Sequence, residues 1–180
     1  MSDNNLYSKT AKILHWLIAA VIFLEYFIAI TLDATHLKWL HIQLGCFLLI
    51  LVIVRIIWRI SHQYPDFPSQ ITGINKLLAK IGHLILYFLM LAIPVTGLVL
   101  IITKGVTINI FGIDIPPLMK AMAKPERHII KSVHWYLATM IFYFAVFHGL
   151  IAFMHEFLNK IPSLSRMLPE CLAKYIRDSK

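Results

Sequence analysis

Hydrophobic and polar positions along this chain separate into four long apolar runs divided by polar stretches. The runs are Ile13 to Leu32, Trp39 to Trp58, Ile81 to Ile102 and Val133 to Phe157, each 20 to 25 residues long. At about 1.5 Å per residue, each reaches across the roughly 30 Å hydrocarbon core of a bilayer. The fourth, at about 37 Å, must tilt or protrude. Lipid offers the backbone no hydrogen-bond partner, so a spanning segment must satisfy its own amides, which makes these runs helices. The predicted fold class is an all-α membrane protein, a four-transmembrane-helix bundle forming a single domain over residues 1–180.

The connections differ in length. Asp33 to Lys38 is a short turn, whereas Arg59 to Lys80 is longer and holds Pro65 and Pro68. Thr103 to Ser132 is the longest connection and contains Pro116, Pro117 and Pro125. Proline is favoured in the first turn of a helix, so Pro125 predicts that the fourth helix begins outside the lipid near Glu126. Pro94 falls inside the third run and should kink it, with neighbouring helices re-satisfying the freed carbonyl.

Composition sharpens this picture. Hydrophobic residues make up 59% of the chain and charged residues 14%, and mean hydropathy is +0.74. A soluble domain carries roughly a quarter charged residues. The formal charge is +8. In a soluble chain that excess would suggest nucleic acid, but here it reads as the positive-inside rule, with no nucleic-acid partner. Lys9, Lys12, Arg55, Arg59, Lys76, Lys80, Lys160, Arg166, Lys174, Arg177 and Lys180 fall on one side of the four spans. Lys38, Lys104, Lys120, Lys124, Arg127 and Lys131 fall on the other. The majority side predicts both termini in the cytoplasm, in a multi-pass protein. Cys46 and Cys171 are too few for a disulfide framework, and no Cys-x-x-Cys-His occurs for covalent haem. The polar N-terminal stretch lacks a small-residue cleavage pattern, so the first run reads as a retained span.

Ionisable residues inside spans are functional candidates. His15, His41, His83, His134 and His148 all lie within the runs, and His155 lies at the end of the fourth. Fourteen residues separate His134 from His148. At 100° per residue both share one helix face, about 21 Å apart in depth. The alternating direction of the helices then pairs His15 with His148 near the cytoplasmic side and His41 with His134 near the outer side. Two histidine pairs stacked across a bilayer suggest two bis-histidine haem b sites, since neutral imidazole ligates iron well near pH 7. A single intramembrane histidine can instead bond a neighbouring carbonyl; four at matched depths are harder to explain that way. Two ligands per level are too few for a closed zinc site. His83 competes with His15 as a ligand.

Several other residues extend the candidate site. Arg55 lies fourteen residues after His41, on the same face and about 21 Å deeper, where it can pair with a haem propionate or snorkel to the interface. Arg127, Lys131 and His134 follow i, i+4, i+7 spacing, so two cations stand above the outer histidine as propionate partners or ordinary interfacial charges. His155 and Lys80 mark a candidate quinone site at the inner level, with a solvated interfacial histidine as the plainer alternative. Glu25 points about 80° away from His15, and so is expected to bond a neighbouring helix rather than face the same haem; a proton relay is its functional alternative. Trp16 and Trp135 each follow a proposed ligand and can pack on haem edges or anchor at the interface.

The chain resembles the bacterial di-haem cytochrome b561 family. The resemblance rests on His15-Trp16-Leu17, His41 and Arg55, Gly82-His83-Leu84 with Pro94-Val95-Thr96-Gly97-Leu98, and Val133-His134-Trp135 followed by His148. It implies His15, His41, His134 and His148 as axial ligands and a bacterial cytoplasmic-membrane location. It also implies electron transfer from a small anionic donor such as superoxide at the periplasmic face to ubiquinone at the inner face. The competing expectations are a haem b conduit or anchor subunit with a hydrogenase or dehydrogenase as redox partner, and a haem-free transporter.

Overall fold

The computed structural model describes residues 6–178, with the side chains of 177 and 178 left aside. Lys180 and the Arg177 side chain, both counted above for orientation, lie outside the described residues. Four long helices dominate: α1 (Lys9–Ile30), α3 (Lys38–Ser61), α4 (Gly73–Ile102) and α5 (Lys124–Phe157), each long and apolar enough to cross a membrane. Between α1 and α3 lies a single helical turn, α2 (Leu32–Thr35), closed by His36 in the left-handed region at φ 56°. Asparagine, aspartate and histidine are the side chains that tolerate this conformation best.

Three helices start earlier than hydropathy alone indicates. The first begins at Lys9, where the Ser8 hydroxyl caps it by accepting from the Ala11 amide at 3.3 Å. The third run's helix starts at Gly73 rather than Ile81, and the fourth run's at Lys124, with Pro125 in its first turn. The added turns are polar or mixed. They continue a helix beyond the hydrocarbon, where composition no longer distinguishes helix from loop.

The core runs down the bundle axis. Leu14, Ile18, Val21 and Ile22 of α1 meet Leu48, Leu51 and Val52 of α3, Leu89 and Met90 of α4, and Ile141 of α5. The α1 positions recur every three or four residues, the spacing of a single helix face. The opposite faces expose large apolar side chains: Leu84 is 70% exposed, Phe88 64% and Phe147 62%. Such a surface fits acyl chains rather than water. Helices pack α1 against α3, α3 against α4, α4 against α5, and α5 back on α1.

The two ends of the bundle differ. At one end a short antiparallel hairpin, β1 (Ile108–Ile110) and β2 (Ile113–Ile115), turns through Phe111 and Gly112, both with positive φ. That backbone is the one a two-residue hairpin favours. Gln43 of α3 clamps it, donating to the Asn109 carbonyl at 2.9 Å and accepting from the Phe111 amide at 2.7 Å.

The start of α1 lies at the other end of the bundle, where α6 (Leu164–Met167) and α7 (Glu170–Asp178) fold back as a cap. The Trp16 indole donates to the Met167 carbonyl at 2.9 Å, and Lys12 lies 4.0 Å from Glu170. Glu156, 1% exposed, accepts from the amides of Ser163 and Ser165 at 2.8 and 3.0 Å and from the Ser165 hydroxyl at 3.0 Å. Arg166 donates to the Asp66 carbonyl at 2.7 Å, tying the cap to the α3–α4 connection. Glu156→Ala strands these buried donors. It should cost about 3 kcal/mol, read as a lower thermal midpoint and faster proteolysis after residue 158.

Candidate functional site

The chemistry-bearing side chains sit on stripes of seven-residue spacing, which return to nearly the same helix face. On α5 the stripe is His134, Ile141, His148, and on α3 it is His41, Leu48, Arg55. Ile141 is 4% exposed and Leu48 5%. Each stripe therefore has a polar group near either end of the bundle and a buried apolar side chain between. The intervening apolar layer separates the two levels.

At each level two imidazoles from different helices face one another. The His15 and His148 ring centres are 6.3 Å apart with an interplanar angle of 73°. The His41 and His134 centres are 6.1 Å apart at 77°. Metal–imidazole bonds of about 2 Å on either side put two ring centres roughly 6 Å apart. Both pairs have the separation that two axial ligands of one iron require. Among the described residues no three or more His, Cys, Asp or Glu side chains gather as a metal-ligating group.

Second partners orient three of the four rings. His134 donates Nδ1–H to the Ile93 carbonyl at 3.1 Å and lies 3.1 Å from the Thr96 hydroxyl. That tautomer leaves Nε2 with its lone pair for a metal. Gly97, on the same turn of α4, lets this ring approach: a Cβ there would lie 3.0 Å from His134 Cε1. The Nδ1 of His41 meets the carboxylate of Glu25, which reaches across from α1 and is 8% exposed.

His15 Nδ1 lies 3.4 Å from Arg55 Nη2, while Arg55 Nη1 donates to the Ala11 carbonyl at 3.2 Å. Arginine can only donate, so this contact competes with the Nδ1–H that an Nε2-bound metal calls for. At 3.4 Å the contact is long for a hydrogen bond, and an anionic oxygen nearby would attract the guanidinium away.

His83 supplies a third imidazole at the His15–His148 level. Its ring centre is 5.3 Å from that of His148, and its Nδ1 donates to the Ala79 carbonyl at 2.6 Å. The gap is narrower than the two facing pairs show, so His83 reads as a flanking ring. Lys80 is exposed and His155 half-buried, and no hydrogen bond or ion pair joins them among the described residues. Trp135 is 43% exposed and lines a surface hollow with Lys131 and Tyr136. Hydropathy did not single out a cavity at the hairpin end, because its walls come from two stretches far apart in sequence, 38–43 and 101–112.

Cations converge at the hairpin end. Arg127 is half-buried on α5, and its Nε is buried with no hydrogen-bond acceptor. One turn on stands Lys131, and then His134, so this orphaned donor belongs to the His41–His134 level. Lys104, just past the end of α4, has its pKa pushed down to about 8, first by burial and then by Lys38, with smaller contributions from Arg127 and Lys131. Lys38 and Lys104 share a cavity of about 630 Å³ with Trp39, Gln43, Asn109 and Phe111. Like charges held this close are relieved by an anion between them. The facing rings, the glycine beside one of them and the acceptor-less Arg127 nitrogen together fit a flat iron macrocycle with anionic side groups.

The sequence pattern of the prokaryotic cytochrome b561 family matches residues 6–170. Cytochrome b561 homolog 2 of Escherichia coli (strain K12) is 28% identical over 178 residues, covering 94% of each chain. Cytochrome b561 homolog 1 of the same organism is 28% identical, covering 92% of this chain and 98% of its own. A Yersinia pestis protein named probable superoxide oxidase CybB is 27% identical over 134 residues, covering 74% of this chain and 76% of its own.

Proposed function

The chain belongs to the prokaryotic cytochrome b561 family of transmembrane haem b electron-transfer proteins, and from that premise we propose that it oxidises superoxide at one membrane face and reduces a quinone at the other. The observation that carries the reading is the two pairs of facing imidazoles, 6.3 and 6.1 Å between centres, toward opposite ends of one bundle. In this reading His41 and His134 hold an outer haem b, and His15 and His148 hold an inner one. Haem b would supply a one-electron iron couple there, and an imidazole pair at each level would favour electron transfer over oxygen binding.

The protein's own residues do the rest. Arg127 and Lys131 pair with the outer propionates and Arg55 with an inner one. Lys38 and Lys104 draw a small anion to the hairpin end, which the charge count assigns to the periplasmic side of the cytoplasmic membrane. The name of the Yersinia pestis relative supports superoxide as that anion. Two superoxides give up one electron each, leaving two dioxygen molecules; ubiquinone takes both electrons with two protons. His83 flanks His148, and Lys80 and His155 stand further toward that end of the bundle, where the quinone head group is read to dock.

Rapid mixing of the oxidised protein with a superoxide source tests the reading. Reduction no faster than in a His134→Ala variant would end it, and obligate co-purification with a dehydrogenase would favour the conduit instead. A pH series adds a second check. Lys104 is charged below about pH 8 and neutral above it, so the second-order rate with superoxide should fall as pH rises through that value. Lys104→Met should lower the rate at pH 7 and flatten the profile.

A further inference from the structure

We propose that Glu25 is a positioning residue for the outer haem: its carboxylate holds the Nδ1–H of His41, fixing the ring and strengthening the imidazole as a donor to iron. The proposal rests on reading His41 and His134 as one ligand pair. It goes beyond that reading by assigning Glu25 and by giving the electron path a direction.

Glu25 is a carboxylic acid 8% exposed on a lipid-embedded helix. Burying such a group is costly unless it has a partner. Among the described residues its one polar contact is with His41 Nδ1, made across helices from α1 to α3; neither carboxylate oxygen has any other hydrogen bond. The two residues also share a depth. Glu25 lies five residues before the end of α1 and His41 three after the start of α3, within about 8 Å of the same membrane face. A helix built only for packing would carry leucine or isoleucine here, as positions 22 and 28 carry isoleucine. Metal-bound histidines regularly donate their other ring nitrogen to a carboxylate, which fixes the tautomer and raises ligand basicity.

The neighbours of the other rings give this contact its consequence. His134 faces a neutral carbonyl, that of Ile93. His15 at the inner level faces the Arg55 guanidinium. A carboxylate on one outer ligand favours the ferric state, and among the described residues no carboxylate meets an inner ligand. The outer couple then lies below the inner one, and electrons run from the hairpin end to the termini end.

The test is an optical redox titration of the intact purified protein, with low-spin electron paramagnetic resonance of each haem. Glu25→Gln keeps an acceptor but removes the charge. It should retain both haems and raise the outer midpoint alone. The electron distribution between haems should shift toward the outer one by on the order of tenfold, which for one electron is about 59 mV. Glu25→Ala should shift it further and change the outer haem's resonance as the His41 ring turns. Unchanged outer potentials in both variants, with both haems present, would overturn the proposal and leave Glu25 as packing. His41→Ala separates the two layers of inference. Loss of one haem there upholds the ligand pair whatever Glu25 does, and retention of two bis-histidine haems removes the pair itself.

Discussion

On the two-haem reading proposed above, His134→Ala is expected to remove one haem b, lowering the haem-to-protein ratio by about half. His134 is the better-braced of the outer pair, held by the Ile93 carbonyl and packed against Gly97. Without it, His41 faces no second imidazole at that level, so in the proposed reading the outer haem loses one of the two protein ligands that hold it. His148→Ala should lose the other haem, and the double variant both. Pyridine haemochrome assay of purified protein measures the ratio, and the reduced-minus-oxidised spectrum shows which absorption component goes. Two haems surviving in His134→Ala would refute the pairing. His83 adds a sharper comparison: as a flanking ring, His83→Ala should keep both haems, whereas a ligand would be missed as plainly as His148.

Gly97→Val should approach the effect of removing His134 without touching a ligand. Even a bare Cβ at residue 97 would sit 3.0 Å from His134 Cε1, inside ordinary van der Waals contact. The neighbour at fault is an aromatic ring bonded to the Ile93 carbonyl one turn earlier on the same helix, so it cannot yield without losing that bond. Valine adds two further methyl groups on a stiff χ1. The ring must rotate or α5 must move outward, and either spoils alignment at the metal. Outer-haem occupancy should fall on the order of tenfold, the usual penalty for disturbing a ligand's support. Gly97→Ala should lie between, with the haem retained and its midpoint shifted. The inner haem serves as an internal control, since His15 and His148 lie about 21 Å away along the bundle.

The bundle itself was legible in the sequence because a bilayer imposes a length and a composition on every span. The histidine levels were legible too, because helix direction alternates and rise per residue is constant. His134 and His148 occupy the face their fourteen-residue spacing implies. The ends of the helices were less so: Gly73 to Lys80 is helical outside its apolar run, where hydropathy carries no signal, whereas Pro125 marked the early start of the fourth helix, which begins at Lys124. The hairpin at Ile108–Ile115 and the cap at Leu164–Asp178 escaped notice for the same reason. Phe111-Gly112 is a weak turn signal, and Glu156 looks like an interfacial charge until the chain after it folds back.

Glu25 shows the division most clearly. Its sequence position says that it is an acid in a membrane span, turned away from His15, and so in need of a partner on another helix. Which partner is a matter of how α1 is rotated against α3, and that follows from side-chain packing summed over both helices. Chain pattern alone therefore determined the number of spans, their alternating direction and the depth of each imidazole, all properties of a single helix in lipid. Only the tertiary structure decided which rings face one another, that Gly97 makes room for one of them, and that Glu25 and Arg55 stand beside opposite levels, because contacts between helices depend on rotations and separations that no one helix encodes.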